Sequence, residues 1–185
     1  MSRVRWLIDG YNVIRQDPES QRAERLADRR SGGPGALEAA RAALVRRVVE
    51  AHRRSGDPFT IVFDGVRGHA ATGPAGGRIE IVFSRSPETA DDVLVRLAGR
   101  YREGGIVVTS DRTVQSAARR ARALVVTSEQ FLDALDTAAA DDQAEDDVED
   151  EDRPRGRSRE ARASARALRR LTRDRGPGST PGSSQ

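Results

Sequence analysis

Three short apolar runs in this chain each close on an aspartate, and helical patterns separate them. They are residues 4–9 (V-R-W-L-I-D), 59–64 (F-T-I-V-F-D) and 105–111 (G-I-V-V-T-S-D), ending at Asp9, Asp64 and Asp111. Each run has the length and the β-branched, aromatic content of a buried strand. Strands that alternate with amphipathic helices pair in parallel through right-handed crossovers, which restricts the chain to an α/β architecture. The expected fold is therefore a three-layer α/β/α domain with a parallel sheet of about five strands. All strands of such a sheet end on one edge, where ligands bind. A fourth acidic station, Asp91 and Asp92 in S-P-E-T-A-D-D, lies at the start of a helical pattern and falls on the same edge.

The remaining elements follow from periodicity. Leu37, Ala40, Leu44, Val48 and Ala51 share one face of a helix over 36–54, which Gly56 is suited to end. Residues 78–84 alternate like an edge strand, and Val93, Leu94, Leu97, Ala98 and Tyr101 mark a helix after it. A strand at 106–109, a helix at 112–122, a short strand at 124–127 and a helix at 128–137 capped by Ser128 complete the order. Residues 15–30 read as a polar, charged segment without an assigned element, 31–35 (S-G-G-P-G) as a break, and 66–77 as a mobile loop beside the acidic edge.

Composition sets the boundary of the folded part. Of 185 residues only 36% are hydrophobic and 4% aromatic, which is thin for a chain buried throughout, so part of it is expected to stay outside the core. The domain is placed at 1–137, with a disordered tail at 138–185. Residues 141–152 are almost wholly acidic and cannot bury enough apolar area to offset the entropy of ordering. Ala161, Ala165, Leu168 and Leu171 form a weak stripe among arginines, so 158–173 is expected to become helical only on a partner. The chain has no cysteine, which excludes disulfides, thiolate metal sites and cysteine nucleophiles. It has no apolar stretch suited to a signal peptide or a membrane span, and a soluble, cytoplasmic protein is expected.

The net charge of +3 conceals opposed fields, and apart from two histidines every basic residue is arginine. Residues 1–140 carry about +4, the acidic block about −9 and the remainder about +8. Arginine forks fit phosphate, so the basic tail favours RNA or DNA over a membrane; the bland alternative is a solvated tail that aids solubility. Adjacent acidic and basic runs also raise the possibility of an internal mimic that competes with RNA.

Carboxylates gathered on one edge need relief. Two bare carboxylates about 5 Å apart repel by about 3 kcal/mol at an effective dielectric near 20. A raised pKa, a nearby arginine or a cation each provides that relief. Oxygen ligands without histidine or cysteine suit a hard divalent ion, Mg²⁺ or Mn²⁺, and an ion held this way with water attached is the working part of phosphodiester hydrolysis. Structural roles compete at every position. Asp9-Gly10 and Asp64-Gly65 also suit turns, Thr89, Asp91 and Asp92 suit a cap and first helical turn, and Asp111 suits an N-cap. Asp91 and Asp92 point about 100° apart on a helix, so one of them would face an ion and the other support it. His52 and His69 lack partners that suggest catalysis.

Taken in order, I-D-G-Y-N-V-I (8–14), V-F-D-G (62–65), E-T-A-D-D (88–92) and V-T-S-D-R-T-V-Q (108–115) resemble the YacP-like NYN family of PIN-like nucleases, over residues 3–136. The resemblance implies a Mg²⁺- or Mn²⁺-dependent endoribonuclease, acting on RNA, mRNA in particular, with the ribosome as a plausible setting. It maps the acidic site onto Asp9, Asp91, Asp92 and Asp111, with Asn12 and Ser110 as polar support. In that reading Asp9, Asp91 and Asp111 hold the metal, Asp92 supports them and Asn12 fixes Asp9 by hydrogen bonding. Asp64 is a further supporting candidate, and Arg67, Arg78 and Arg112 are candidates to hold the RNA backbone. Two other readings stand beside it. One is a catalytically silent RNA- or ribosome-binding module. The other is a small-molecule phosphatase or nucleotide enzyme, against which no glycine-rich phosphate loop follows the first strand and Tyr11 stands where a second aspartate would be needed.

Overall fold

The computed structural model describes residues 4–31, 35–65, 78–141 and 159–172. Strands β1 (Arg5–Asp9), β2 (Phe59–Phe63), β3 (Ile79–Phe83), β4 (Gly105–Val108) and β5 (Leu124–Val126) form one sheet in the order β3-β2-β1-β4-β5. All four pairings are parallel, with Ile8 beside both Ile61 and Val108. The expected α/β class and five-strand sheet are therefore present, with β3 at one edge as its alternation indicated.

Strand alternation sends side chains to two separate cores. On one face Trp6, Ile8, Phe59, Ile61, Phe63, Ile106 and Val108 pack under α1 (Gly10–Gln16), α3 (Gly35–Ser55) and α6 (Ser128–Asp141). On the other, Leu7, Val62, Val107 and Val125 meet α4 (Ala90–Tyr101) and α5 (Arg112–Arg120). Trp6 anchors the first core, stacked on Phe59 with centroids 6.0 Å apart, and its ring N–H donates to buried Asp57.

Residues 15–30, left without an element by the sequence reading, instead complete α1 and form most of α2 (Pro18–Ser31). Asp17 ends α1 and starts α2: its carboxylate accepts from the backbone N–H groups of Glu19 and Ser20 and from the Ser20 hydroxyl. Asp17 is fully buried, and its charge is met by Arg47 of α3 at 2.6 Å. A polar pair, rather than an apolar stripe, fastens this segment.

A second difference lies beyond residue 137. Helix α7 (Arg159–Thr172) packs on α3, α6 and β5, with Ala167 and Leu171 buried in the first core. Ser164 donates to the Val125 carbonyl at 2.9 Å, and Arg170 pairs with Asp57 at 2.5 Å. The helix expected to need a partner thus folds against the chain's own body, which extends past the expected end near 137. The acidic run's residues 142–152 and the arginines at 153–157, 173 and 175 lie outside the described residues, as does the loop at 66–77. Among the described residues no helix is long and apolar enough to cross a membrane.

Candidate active site

The acidic edge is built by strand register. Leu7 faces the α4 side, so Asp9, two residues on, points the same way from the end of β1. Asp9 is 8% exposed. Its Oδ1 accepts from the Asn12 N–H at 3.2 Å, capping α1, and its Oδ2 accepts from the Thr109 hydroxyl at 2.9 Å. Burial raises the Asp9 pKa above the ordinary 3.8; the two hydrogen bonds oppose that, the Asp91 charge adds to it and nearby Arg15 again opposes it.

Asp91 and Asp92 divide their duties as the helical angle required. Asp92 closes a capping box: its Oδ2 accepts from the Thr89 N–H at 3.0 Å and hydroxyl at 2.8 Å, while its own N–H donates to Thr89 Oγ1. Those bonds lower its pKa. Asp91 instead lies within electrostatic range of the other acids. Its pKa is raised by partial burial first, and then by the charges of Asp111, Asp92 and Asp64. Asp111 caps α5, with both N–H groups of Thr113 and Val114 on Oδ1 at 2.7 and 3.0 Å. Asp64 accepts from the hydroxyl of Ser84, at the end of β3.

Asn12 does not hold Asp9 through its side chain; its backbone does that. Its Oδ1 accepts instead from the Ser110 N–H at 2.9 Å and the Ser128 hydroxyl at 2.7 Å, tying α1 to the β4–α5 turn and the start of α6. The Ser110 hydroxyl in turn donates to Glu129 Oε2 at 2.6 Å, a bond that lowers the Glu129 pKa. Thr109, Ser128 and Glu129 are thus members of this network that the sequence reading did not propose. For Thr109 a signal existed, since T-S-D places a hydroxyl at a strand end two residues before an acid.

The candidate arginines separate. Arg112 is exposed at the first turn of α5, on the acidic edge, and Arg15, not proposed from sequence, is close enough to influence Asp9. Arg78 is at the opposite, amino edge: it donates to the Gly56 carbonyl at 3.1 Å, just ahead of β2 and β3. It belongs to no cluster with the acids. Arg67 and His69 lie outside the described residues, and His52 holds the Asp57 carbonyl at 2.7 Å at the end of α3.

Gly10 is a steric requirement of this edge. A Cβ there would lie 2.2 Å from the Phe63 ring, so α1 can begin directly after Asp9 only without a side chain. Asp9, Asp64, Asp91 and Asp111 offer oxygen donors alone. Among the described residues no three such side chains already stand as a group able to hold one ion.

A parallel α/β/α domain with carboxylates from a strand end and two helix starts gathered on its carboxyl edge is the architecture of the PIN-like class. The sequence pattern of the YacP-like NYN domain matches residues 6–175, and the chain belongs to that family of PIN-like nucleases. It is 29% identical over 138 residues to YacP of Bacillus subtilis (strain 168), covering 71% of this chain and 74% of that one. Two crystal structures of Rae1 (YacP) from Bacillus subtilis, one a mutant, superpose with TM-scores of 0.58 and 0.57 at 26% identity. The first covers 76% of this chain and 79% of its own.

Proposed function

We propose that this protein is a metal-dependent endoribonuclease with its site at Asp9, Asp91 and Asp111. The observation that carries this reading is the mutual charge of the acids: Asp91 feels Asp111 and Asp64, and Asp9 feels Asp91, with burial acting on both in the same direction. A folded protein that keeps such repulsion gains from a cation placed there. Mg²⁺ or Mn²⁺ suits all-oxygen donors and retains most of its water, so it needs one or two direct carboxylates rather than a closed cage. When bound, such an ion polarises a phosphate oxygen and makes its water a better nucleophile.

The chain's own residues set the stage. Thr109 and the Asn12 N–H orient Asp9 toward the α4 side, and the bonds from Thr113 and Val114 fix Asp111 through one oxygen. Asp92 supports the site by holding the first turn of α4, which presents Asp91. Arg112 and Arg15 supply positive charge for the RNA backbone beside these acids. RNA as substrate, mRNA in particular and in the setting of the ribosome, is supported by the family and by the arginine-only basic content.

The test is cleavage of a mixed RNA pool by the full chain with Mn²⁺ or Mg²⁺, with EDTA, and beside Asp9→Asn. Metal-dependent cutting that is lost in a folded Asp9→Asn protein is expected. In parallel, Mn²⁺ should raise the melting temperature of the wild type and not of Asp9→Asn; ten times the Kd of ion stabilises by about 1.4 kcal/mol. A silent RNA-binding module is the second reading, favoured by the lack of a preassembled trio of ligands among the described residues. RNA binding without cutting, on free RNA and on translating ribosomes alike, would select it.

A further inference from the structure

Among the described residues, the guanidinium of Arg41 near the acidic edge has aromatic partners but no carboxylate. The guanidinium of Arg41, on α3, lies over three aromatic rings, 5.3 Å from the centroid of Tyr11, 5.5 Å from Phe63 and 5.4 Å from Phe83. It donates to the Tyr11 hydroxyl, and its Nε is buried without a hydrogen-bond partner. Among the described residues no carboxylate pairs with it. Arg47, two turns along the same helix, differs: it meets Asp17, Glu19 and Asp136.

The cage sits where the chemistry is proposed. Tyr11 is two residues after Asp9, Phe63 immediately precedes Asp64, and Phe83 immediately precedes Ser84, which bonds Asp64. All three rings therefore stand at the carboxyl ends of β1, β2 and β3. Aromatic faces hold a guanidinium in place and leave its edge N–H groups for a ligand. The buried Nε is closed to a ligand and Nη2 serves Tyr11, but Nη1 has no partner among the described residues, and a half-buried guanidinium with that donor left over is suited to an oxyanion such as phosphate.

We propose that Arg41, clamped by Tyr11, Phe63 and Phe83, receives an internucleotide phosphate of the RNA next to the one held at the acids. The proposal rests on the ribonuclease reading. Arg41 is here a binding residue that fixes the strand across the β1–β2–β3 end of the edge, while Arg112 serves the β4 end. Tyr11 keeps the fork aimed, and the rings exclude water from its inner side.

Binding of a fluorescein-labelled single-stranded oligoribonucleotide to the full chain, in EDTA and over a salt series, tests this. Arg41→Gln should lose roughly tenfold in affinity at low salt, and the slope of log K against log salt should fall by about 0.7, one phosphate contact on a single strand. A purely structural cage would lower the melting temperature of Arg41→Gln and leave affinity and slope unchanged, which overturns the proposal. Should Arg41→Gln not fold, Arg41→Lys carries the test. It keeps the charge and so the slope, but loses the fork, and is expected to bind several-fold more weakly; wild-type affinity in that variant overturns the proposal too. Absence of both RNA binding and metal-dependent cutting by the wild type would instead overturn the ribonuclease reading itself, so the two failures are distinguishable.

Discussion

The hydroxyl of Thr109 donates to Asp9 Oδ2 at 2.9 Å, joining the ends of β4 and β1 across a sequence separation of 100 residues. Thr109 Oγ1 itself accepts from the Asp111 N–H at 3.1 Å. One fully buried threonine therefore sets both a strand-end acid and the turn that carries another. Thr109→Val keeps the shape and removes both bonds. It should destabilise the protein by about 1–3 kcal/mol, because a buried carboxylate oxygen and an N–H are left unsatisfied. Thr109→Ser should recover most of the loss in urea denaturation. Equal stability of the valine and wild-type proteins would show that the bond is not formed in solution.

Asp9 also fixes a pH dependence. Its pKa in the folded protein lies above the ordinary 3.8, chiefly through burial, so the native state holds that proton more tightly than the unfolded chain does. The stability linked to this proton is fully present below 3.8 and is lost as pH rises through the folded value. Asp91 acts in the same sense, whereas Asp92 and Glu129, with lowered values, lose their contribution as pH falls. Asp9→Asn removes the Asp9 proton's contribution alone. The stability of Asp9→Asn minus that of the wild type, measured in metal-free urea titrations, should increase from acid pH toward neutrality. A difference independent of pH would contradict the raised pKa.

Gly10 offers a steric test of the same edge. With ring atoms of Phe63 at 2.2–2.9 Å from the place of a Cβ, Gly10→Ala must displace either the ring or the start of α1. The cost of such overpacking is about 1–3 kcal/mol. Phe63→Leu in the same chain should make the alanine less harmful than it is alone, in a double-mutant cycle of denaturation midpoints. Additive losses would mean that the two residues do not meet.

Sheet and acidic edge were legible in the sequence because both depend on local signals: β-branched runs of strand length, and acids at their ends. Helical angle alone separates Asp91 from Asp92, and the capping box with Thr89 shows that Asp92 is the one tied to the helix start. What escaped depends on partners far apart in the chain. Asn12 was assigned to Asp9, but its side chain is claimed by Ser110 and Ser128, 98 and 116 residues away. Arg78 is a candidate for the RNA backbone by sequence, yet β3 starts at the amino edge, so the sheet's direction carries it away from the acids. Helix α2 did carry a local signature, D-P-E-S, with a capping aspartate and proline at the first helical position. Its sparse apolar content hid it, since Asp17 and Ser20 rather than leucines are the buried groups.

Helix α7 is the clearest case, because its five exposed arginines masked a narrow buried face. Ser164, Ala167 and Leu171 fall three and four residues apart and point inward, while Arg159, Arg162, Arg166 and Arg169 occupy the opposite arc and Arg170, at its flank, reaches Asp57. Leu171 is fully buried in the core it shares with Trp6 and Phe131. Leu171→Ala should cost about 2–5 kcal/mol, as deletion of a buried leucine side chain does. Removal of residues 142–185 should destabilise the remaining domain as well, by exposing the apolar surface of α3, α6 and β5 that α7 covers. Both are measured by urea denaturation of the otherwise unaltered chain. If the truncated protein and Leu171→Ala matched the wild type, the folded body would end near residue 137, and α7 would be a tail that touches the domain without stabilising it.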